Sequence, residues 1–135
     1  MKWLNSKWSQ RWSGVILLMY LTALITGTHL PHPEVLIPIE NNDKYLHFGA
    51  YFGLSFLMVT RLQTLRPVTR SAMLAIWSLV ALTGIVDELT QMLPGINRQC
   101  EFLDWVADIA GAACGLTTWH LLRRWWSQRR TGDQI

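Results

Sequence analysis

Long apolar segments alternate with short polar ones along the chain. Four segments stand out, over residues 12–30, 45–62, 71–93 and 103–122. Each has close to the roughly 20 residues that a helix needs to cross a hydrocarbon core of about 30 Å. Because lipid offers the backbone no hydrogen-bond partners, such segments are expected to be helical. The pattern predicts an all-α fold: one polytopic membrane domain over residues 1–135, with four transmembrane helices.

The composition supports a membrane protein over a soluble one. Half of the 135 residues are hydrophobic and 16% are charged, whereas a soluble domain has about 25% charged residues. The regular amphipathic periodicity that a soluble helical bundle needs is absent. The net charge is +3, but the basic residues flank the apolar segments and form no basic surface interleaved with aromatic residues. The lipid bilayer is therefore the predicted partner, and nucleic acid is not.

The basic residues also predict an orientation. Ten of the twelve Lys and Arg residues lie before the first segment, between the second and third, or after the fourth. The other two connections hold only Lys44 and Arg98. The positive-inside rule then places both termini and the middle connection in the cytoplasm. Because the spans are helices and not barrel strands, we expect a multi-pass protein of the cytoplasmic (inner) membrane.

A cleaved signal peptide is an alternative explanation for the first segment. Lys2, Lys7 and Arg11 precede it, as in the basic start of such a peptide. No A-x-A cleavage site follows, however, and the apolar segment is longer than the usual signal core. A retained first span is therefore the preferred interpretation.

Polar residues interrupt the apolar segments at positions that lipid would penalise. With the adjoining basic residues they are Lys44, His47, Tyr51, Asp87, Glu88, Gln91, Arg98, Asp104 and Asp108. A rise of about 1.5 Å per residue puts those within the helices about 5–10 Å below the outer surface. A charged residue within a span costs about 2.5–3.5 kcal/mol, so several at one depth predict a shared site inside the bundle. Asp104 has a second explanation, the dipole at the start of a helix.

Small residues predict where the helices approach closely. Ala107, Gly111 and Gly115 form a ridge with small-xxx-small spacing on the fourth segment, and Gly49 and Gly53 form one on the second. Such ridges let helix backbones pack closely within a chain or between copies. They therefore leave a homo-oligomer open.

Three motifs follow one another along the chain. They are Asp43-Lys44-x-x-His47-Phe48-x-x-Tyr51, then Asp87-Glu88-x-x-Gln91 with Pro94 and Arg98, then Asp104 with Asp108 and Gly111. This series, over residues 43–115, resembles the VanZ-like family, which is named for a protein linked to teicoplanin resistance. The family pattern usually has Asn before the glycine of the fourth helix, near the place that Asp108 takes here. The resemblance implies a polytopic cell-envelope protein linked to antibiotic tolerance, without a defined mechanism.

One functional hypothesis is the binding of an envelope lipid or a lipidated glycopeptide-type ligand. Lys44 and Arg98 would contact a phosphate, Arg98 in bidentate fashion. Asp87, Glu88 and Gln91 would hydrogen-bond to sugar hydroxyls. Teicoplanin carries an acyl chain, so a membrane site for a lipidated ligand is consistent with the family resemblance.

A second hypothesis is an intramembrane enzyme that acts on a lipid-linked substrate. His47 would serve as general base or nucleophile, and one of Asp87, Glu88 and Asp108 as the acid. These four residues are also possible ligands of a divalent metal. No HExxH or comparable zinc motif is present, so no metal site is predicted and the cofactor stays open.

A third hypothesis is that the polar residues only hold the helices together. Asp87 or Glu88 would pair with Arg98 or Lys44, and His47 would hydrogen-bond to Asp108. A transporter is disfavoured, because the polar residues gather near one surface instead of following a path through the membrane.

Overall fold

The fold is all-helical over the part of the chain that the structure, a computed structural model, describes. These are residues 6–29, 42–94, 96 and 100–132. They form four α-helices: α1 (Lys7–Thr28), α2 (Asn42–Leu65), α3 (Arg70–Gln91) and α4 (Phe102–Gly132). The prediction of an all-α fold with four helices in this order is confirmed.

The helices match the predicted apolar segments closely but are not identical to them. Each of α1, α2 and α3 ends within three residues of the predicted segment's end. Helix α4 continues for ten residues beyond residue 122, to Gly132. In this extension the guanidinium of Arg129 lies 3.8 Å from the centre of the Trp125 ring. This contact is a cation–π interaction between neighbouring turns.

Two of the four helices, α1 and α3, are long and apolar enough to cross a membrane. In the most apolar 18-residue stretch of each helix, only 11% (α1) and 28% (α3) is buried inside the protein. Neither helix is therefore an enclosed core helix. Helices α2 and α4 have lower hydropathy because they carry much of the polar site, and α4 also has a basic C-terminal part.

Helices α2 and α4 form the most extensive packing contact in the described part of the protein. A Cβ atom on Gly111 would collide with the backbone carbonyl of Phe48, and one on Gly115 with the carbonyl of Phe52. The hydroxyl of Ser55 also donates a hydrogen bond across this contact to the carbonyl of Ala112, at 2.9 Å. The predicted glycine ridge of α4 therefore lies against the backbone of α2.

The prediction that Gly49 and Gly53 of α2 both lie at a helix contact within the chain is wrong for Gly49. Gly53 does lie against α1, where a Cβ atom would collide with the Tyr20 hydroxyl, which donates to the carbonyl of Ala50 at 2.8 Å. Gly49 has open space around it, with nothing within 4 Å of an added Cβ. The two glycines share a helix face, but only Gly53 lies where α1 contacts α2.

The acidic residues within the helices gather at one end of the bundle, together with His47. There the end of α1 and the end of α3 meet the beginnings of α2 and α4, as the helix order and alternating directions require. Thr28 of α1 donates to Asp87 of α3 at 2.8 Å, and His47 of α2 hydrogen-bonds to Asp108 of α4 at 2.9 Å. These polar residues therefore form one site to which all four helices contribute.

Candidate functional site

A histidine–aspartate pair lies at the centre of the site. Nδ1 of His47 is 2.9 Å from Oδ1 of Asp108, and both side chains are buried. The close approach of α4 to α2 at Gly111 and Phe48 holds the pair together, because Gly111 follows Asp108 by one turn and Phe48 adjoins His47. This is the hydrogen bond that the sequence suggested.

Glu88 joins α3 to this pair. Its Oε1 lies 3.9 Å from Nδ1 of His47, and its Oε2 accepts a hydrogen bond from the backbone N–H of Glu101 at 2.8 Å. Glu101 immediately precedes α4, so the Glu88 carboxylate lies at the positive end of that helix's dipole. One oxygen of Glu88 thus anchors α4, and the other faces His47.

Asp87 connects α3 to α1, and none of its contacts among the described residues is with a Lys or Arg side chain. Its Oδ1 accepts from the hydroxyl of Thr28 at 2.8 Å and lies 3.6 Å from Nδ1 of His29. Its Oδ2 lies 3.4 Å from Nε2 of Gln91, a long contact. Thr28 and His29 were not predicted as site residues from the sequence. The available signal was their position at the C-terminal end of the first apolar segment, the end that meets the polar residues of α2, α3 and α4.

Lys44 is engaged by two other carboxylates. Its Nζ lies 2.9 Å from Oε2 of Glu101 and 3.4 Å from Oδ1 of Asp104. The hydrogen bond to Glu101 raises the pKa of Lys44. The predicted pairing of Lys44 with Asp87 or Glu88 is wrong, because Lys44 contacts Glu101 and Asp104 instead. Asp104, explained from sequence by the helix dipole, is 1% exposed and takes part in the site.

Arg98 and Asp43 belong to the sequence motifs that predicted the site. Arg98 falls outside the described residues, so its contact with a ligand stays a prediction. Asp43 begins the first motif, and its Oδ1 lies 4.0 Å from Nε2 of His47.

Six buried polar atoms of the site lack a hydrogen-bond partner within the described part of the protein. They are His47 Nε2, the Tyr51 hydroxyl, Glu88 Oε1, Gln91 Oε1, Asp104 Oδ1 and Asp108 Oδ2. An unsatisfied buried group costs about 1–3 kcal/mol, and native proteins contain few of them. Tyr51, one of the predicted site residues, is fully buried, and its ring lies parallel to the His47 ring.

The described part of the site is strongly acidic. Asp87, Glu88, Asp104 and Asp108 are all at most 5% exposed. Apart from histidine, Lys44 is the basic side chain that contacts them within the described residues. Buried carboxylates at this density need protons, hydrogen-bond donors or a cation as compensation. A bare phosphate would be repelled here.

No protein-family model, curated protein or solved structure matches the chain. What the protein does is therefore inferred from its own residues.

Proposed function

We propose that this chain is a VanZ-like protein that spans the cytoplasmic membrane four times, with both termini in the cytoplasm. Its polar site then lies near the outer surface and binds the polar part of an envelope lipid or a lipidated glycopeptide-type ligand. Such a protein would be linked to cell-envelope function or antibiotic tolerance. The observation that carries the binding function is the group of six buried polar atoms that have no hydrogen-bond partner within the described ranges.

The exposed faces of the helices support the membrane location. On α3 the side chains of Leu74, Leu79, Leu82, Val86 and Leu89 are each more than half exposed. A continuous apolar face of this kind is unfavourable in water and favourable against lipid tails. Helices α2 and α4 turn polar residues towards the bundle interior, which is how ionisable residues are tolerated in spans.

The two native cysteines test this topology. Cys100, between α3 and α4, and Cys114, within α4, are both exposed on the protein. In the proposed arrangement Cys100 faces the outside, whereas Cys114 faces lipid, where the reactive thiolate does not form. A membrane-impermeant maleimide added to intact spheroplasts should label the Cys114→Ser variant, which keeps Cys100.

The matched Cys100→Ser variant, which keeps Cys114, should stay unlabelled until detergent dissolves the membrane. Labelling of Cys100 only after the membrane is permeabilised would mean that the protein has the opposite orientation in the membrane. Labelling of Cys114 in intact spheroplasts would contradict α4 as a span.

The unpartnered atoms favour ligand binding over a purely structural role. A network that only joins helices gains most when every buried polar group is paired, because a partly satisfied network is destabilising. Here the pairing is incomplete at the centre of the site. Most of the unpartnered atoms are acceptor oxygens, so they suit hydroxyl or amine donors of a sugar or aminated head group better than a bare phosphate.

Tyr51→Phe tests the binding function with little effect on folding, because the hydroxyl it removes has no hydrogen-bond partner of normal geometry among the described residues. Wild-type protein purified in mild detergent should retain a defined lipid, identified by mass spectrometry. Tyr51→Phe should retain about five- to tenfold less, which corresponds to the loss of one hydrogen bond of about 1–1.5 kcal/mol.

Tyr20→Phe is the matched control, since it removes a hydroxyl that bonds to Ala50 outside the site. It should retain the lipid as wild type does. The binding function would be contradicted if wild type retained no selective lipid, or if all three proteins retained equal amounts. The polar residues would then only hold the helices together.

An enzyme is the second candidate, and the His47–Asp108 pair favours it. A carboxylate that accepts from Nδ1 orients an imidazole so that Nε2 can act as general base, and Nε2 of His47 is the unpartnered nitrogen. In that case the His47→Gln protein should accumulate a lipid-linked species that wild type converts. The same lipid in both proteins, differing only in amount, would favour binding.

A further inference from the structure

We propose that His47, Glu88 and Asp108 form a binding site for one divalent transition-metal ion between α2, α3 and α4. This inference does not depend on a bound lipid. The sequence contains no recognised metal-binding motif for these residues, because the three ligands come from three helices and have no common spacing.

The positions of the three side chains are compatible with one ion. One ligand atom from each residue lies within 4.8 Å of the others. Nδ1 of His47 is 2.9 Å from Oδ1 of Asp108 and 3.9 Å from Oε1 of Glu88. Bonds of about 2.0–2.2 Å separate neighbouring ligands around one ion by about 3–3.5 Å. Small rotations of the side chains would therefore complete the site.

The unpartnered oxygens of the two carboxylates point independently to a cation. Glu88 is 3% exposed and Asp108 is fully buried, yet Oε1 of Glu88 and Oδ2 of Asp108 have no hydrogen-bond partner in the described part of the protein. Oε1 of Glu88 is the oxygen that faces His47. These are acceptors that lack a donor, and a metal ion satisfies such atoms directly.

The charges of the buried side chains also favour a bound cation. A protonated His47 supplies one positive charge against the two carboxylates beside it, and the buried Asp87 and Asp104 add to the negative charge. Two like charges 4 Å apart repel by about 4 kcal/mol at an effective dielectric constant of 20. A divalent ion neutralises Glu88 and Asp108 together.

Neighbouring groups orient the proposed ligands, as is usual for residues around a metal site. Oε2 of Glu88 accepts from the N–H of Glu101 at 2.8 Å, which fixes that carboxylate. A metal on Nδ1 of His47 leaves the proton on Nε2, which lies 4.0 Å from Oδ1 of Asp43. A carboxylate that accepts a hydrogen bond from the second nitrogen is the common outer partner of a metal-bound histidine, and Asp43 takes this role if its side chain moves closer to Nε2 when the metal binds. One nitrogen and two carboxylates suit Zn²⁺ or Mn²⁺ better than Mg²⁺ or Ca²⁺.

The test is metal binding by the purified full chain, first stripped with a chelator. Wild type should bind one Zn²⁺ or Mn²⁺ per chain, measured by elemental analysis after desalting and by Mn²⁺ electron paramagnetic resonance. Glu88→Gln and Asp108→Asn should each weaken binding at least about 100-fold, because each removes a charged ligand. Asp43→Asn should weaken it about tenfold, as expected for an outer partner.

Glu101→Gln is the matched control. It changes an acidic side chain of the same region that is about half exposed and is not a proposed ligand. It should bind the ion as wild type does, and circular dichroism should show every variant helical. Failure of wild type to bind one ion, or equal binding by Glu88→Gln, would overturn the proposal. Lipid retention by the metal-free protein, measured separately, shows whether the proposed ligand site survives that outcome.

Discussion

Replacing Asp108 with alanine should lower the free energy of unfolding of the metal-free protein by about 3–5 kcal/mol. Asp108 is fully buried and bonds to His47, which is itself only 2% exposed. The substitution removes a charged hydrogen-bond partner and leaves the imidazole buried without it. The measurement is reversible unfolding in mixed micelles, in the presence of a chelator so that loss of a metal does not contribute.

Glu101→Ala is the control for an ion pair near the surface. Glu101 bonds to Lys44 at 2.9 Å, but both side chains are partly exposed, so its removal should cost no more than about 1 kcal/mol. A cost near 1 kcal/mol for Asp108→Ala as well would contradict a desolvated charged pair. It would instead match the modest strength of neutral hydrogen bonds between membrane helices.

Gly111→Ala should destabilise the protein although alanine is the better helix former. The added Cβ would collide with the backbone carbonyl of Phe48, which cannot rotate away as a flexible side chain can. Overpacking of this kind costs about 1–3 kcal/mol. Since the contact also holds His47 beside Asp108, the variant should lose metal affinity together with stability. Unfolding in mixed micelles and Mn²⁺ titration measure the two effects.

Gly49→Ala is the matched control, because it makes the same change on α2 in open space. It should be neutral or stabilising by about 0.5–1 kcal/mol, the gain in helix propensity alone. The difference between the two variants then gives the cost of the collision. Equal stability of Gly111→Ala and Gly49→Ala would mean that α2 and α4 do not pack as closely as described.

The sequence was sufficient for the four helices of the described residues and for the end of the bundle at which the polar site lies. Runs of about 20 apolar residues restrict the backbone to helices in lipid, and the structure contains four helices over those runs. Alternating helix directions then bring the polar residues of α2, α3 and α4 to one end of the bundle. His47 and Asp108 could be paired from this reasoning because each lies a few residues inside its helix.

Only the tertiary structure decided which neighbours these residues contact. Lys44 bonds to Glu101 and lies 3.4 Å from Asp104, and Asp87 bonds to Thr28, since helix rotation and crossing set the contacts between helices. Gly49 and Gly111 look equivalent by spacing, and only their surroundings separate them. A sequence determines the position of a residue along and around its own helix. The atoms left without a partner depend on how four helices pack together, and those atoms define the site.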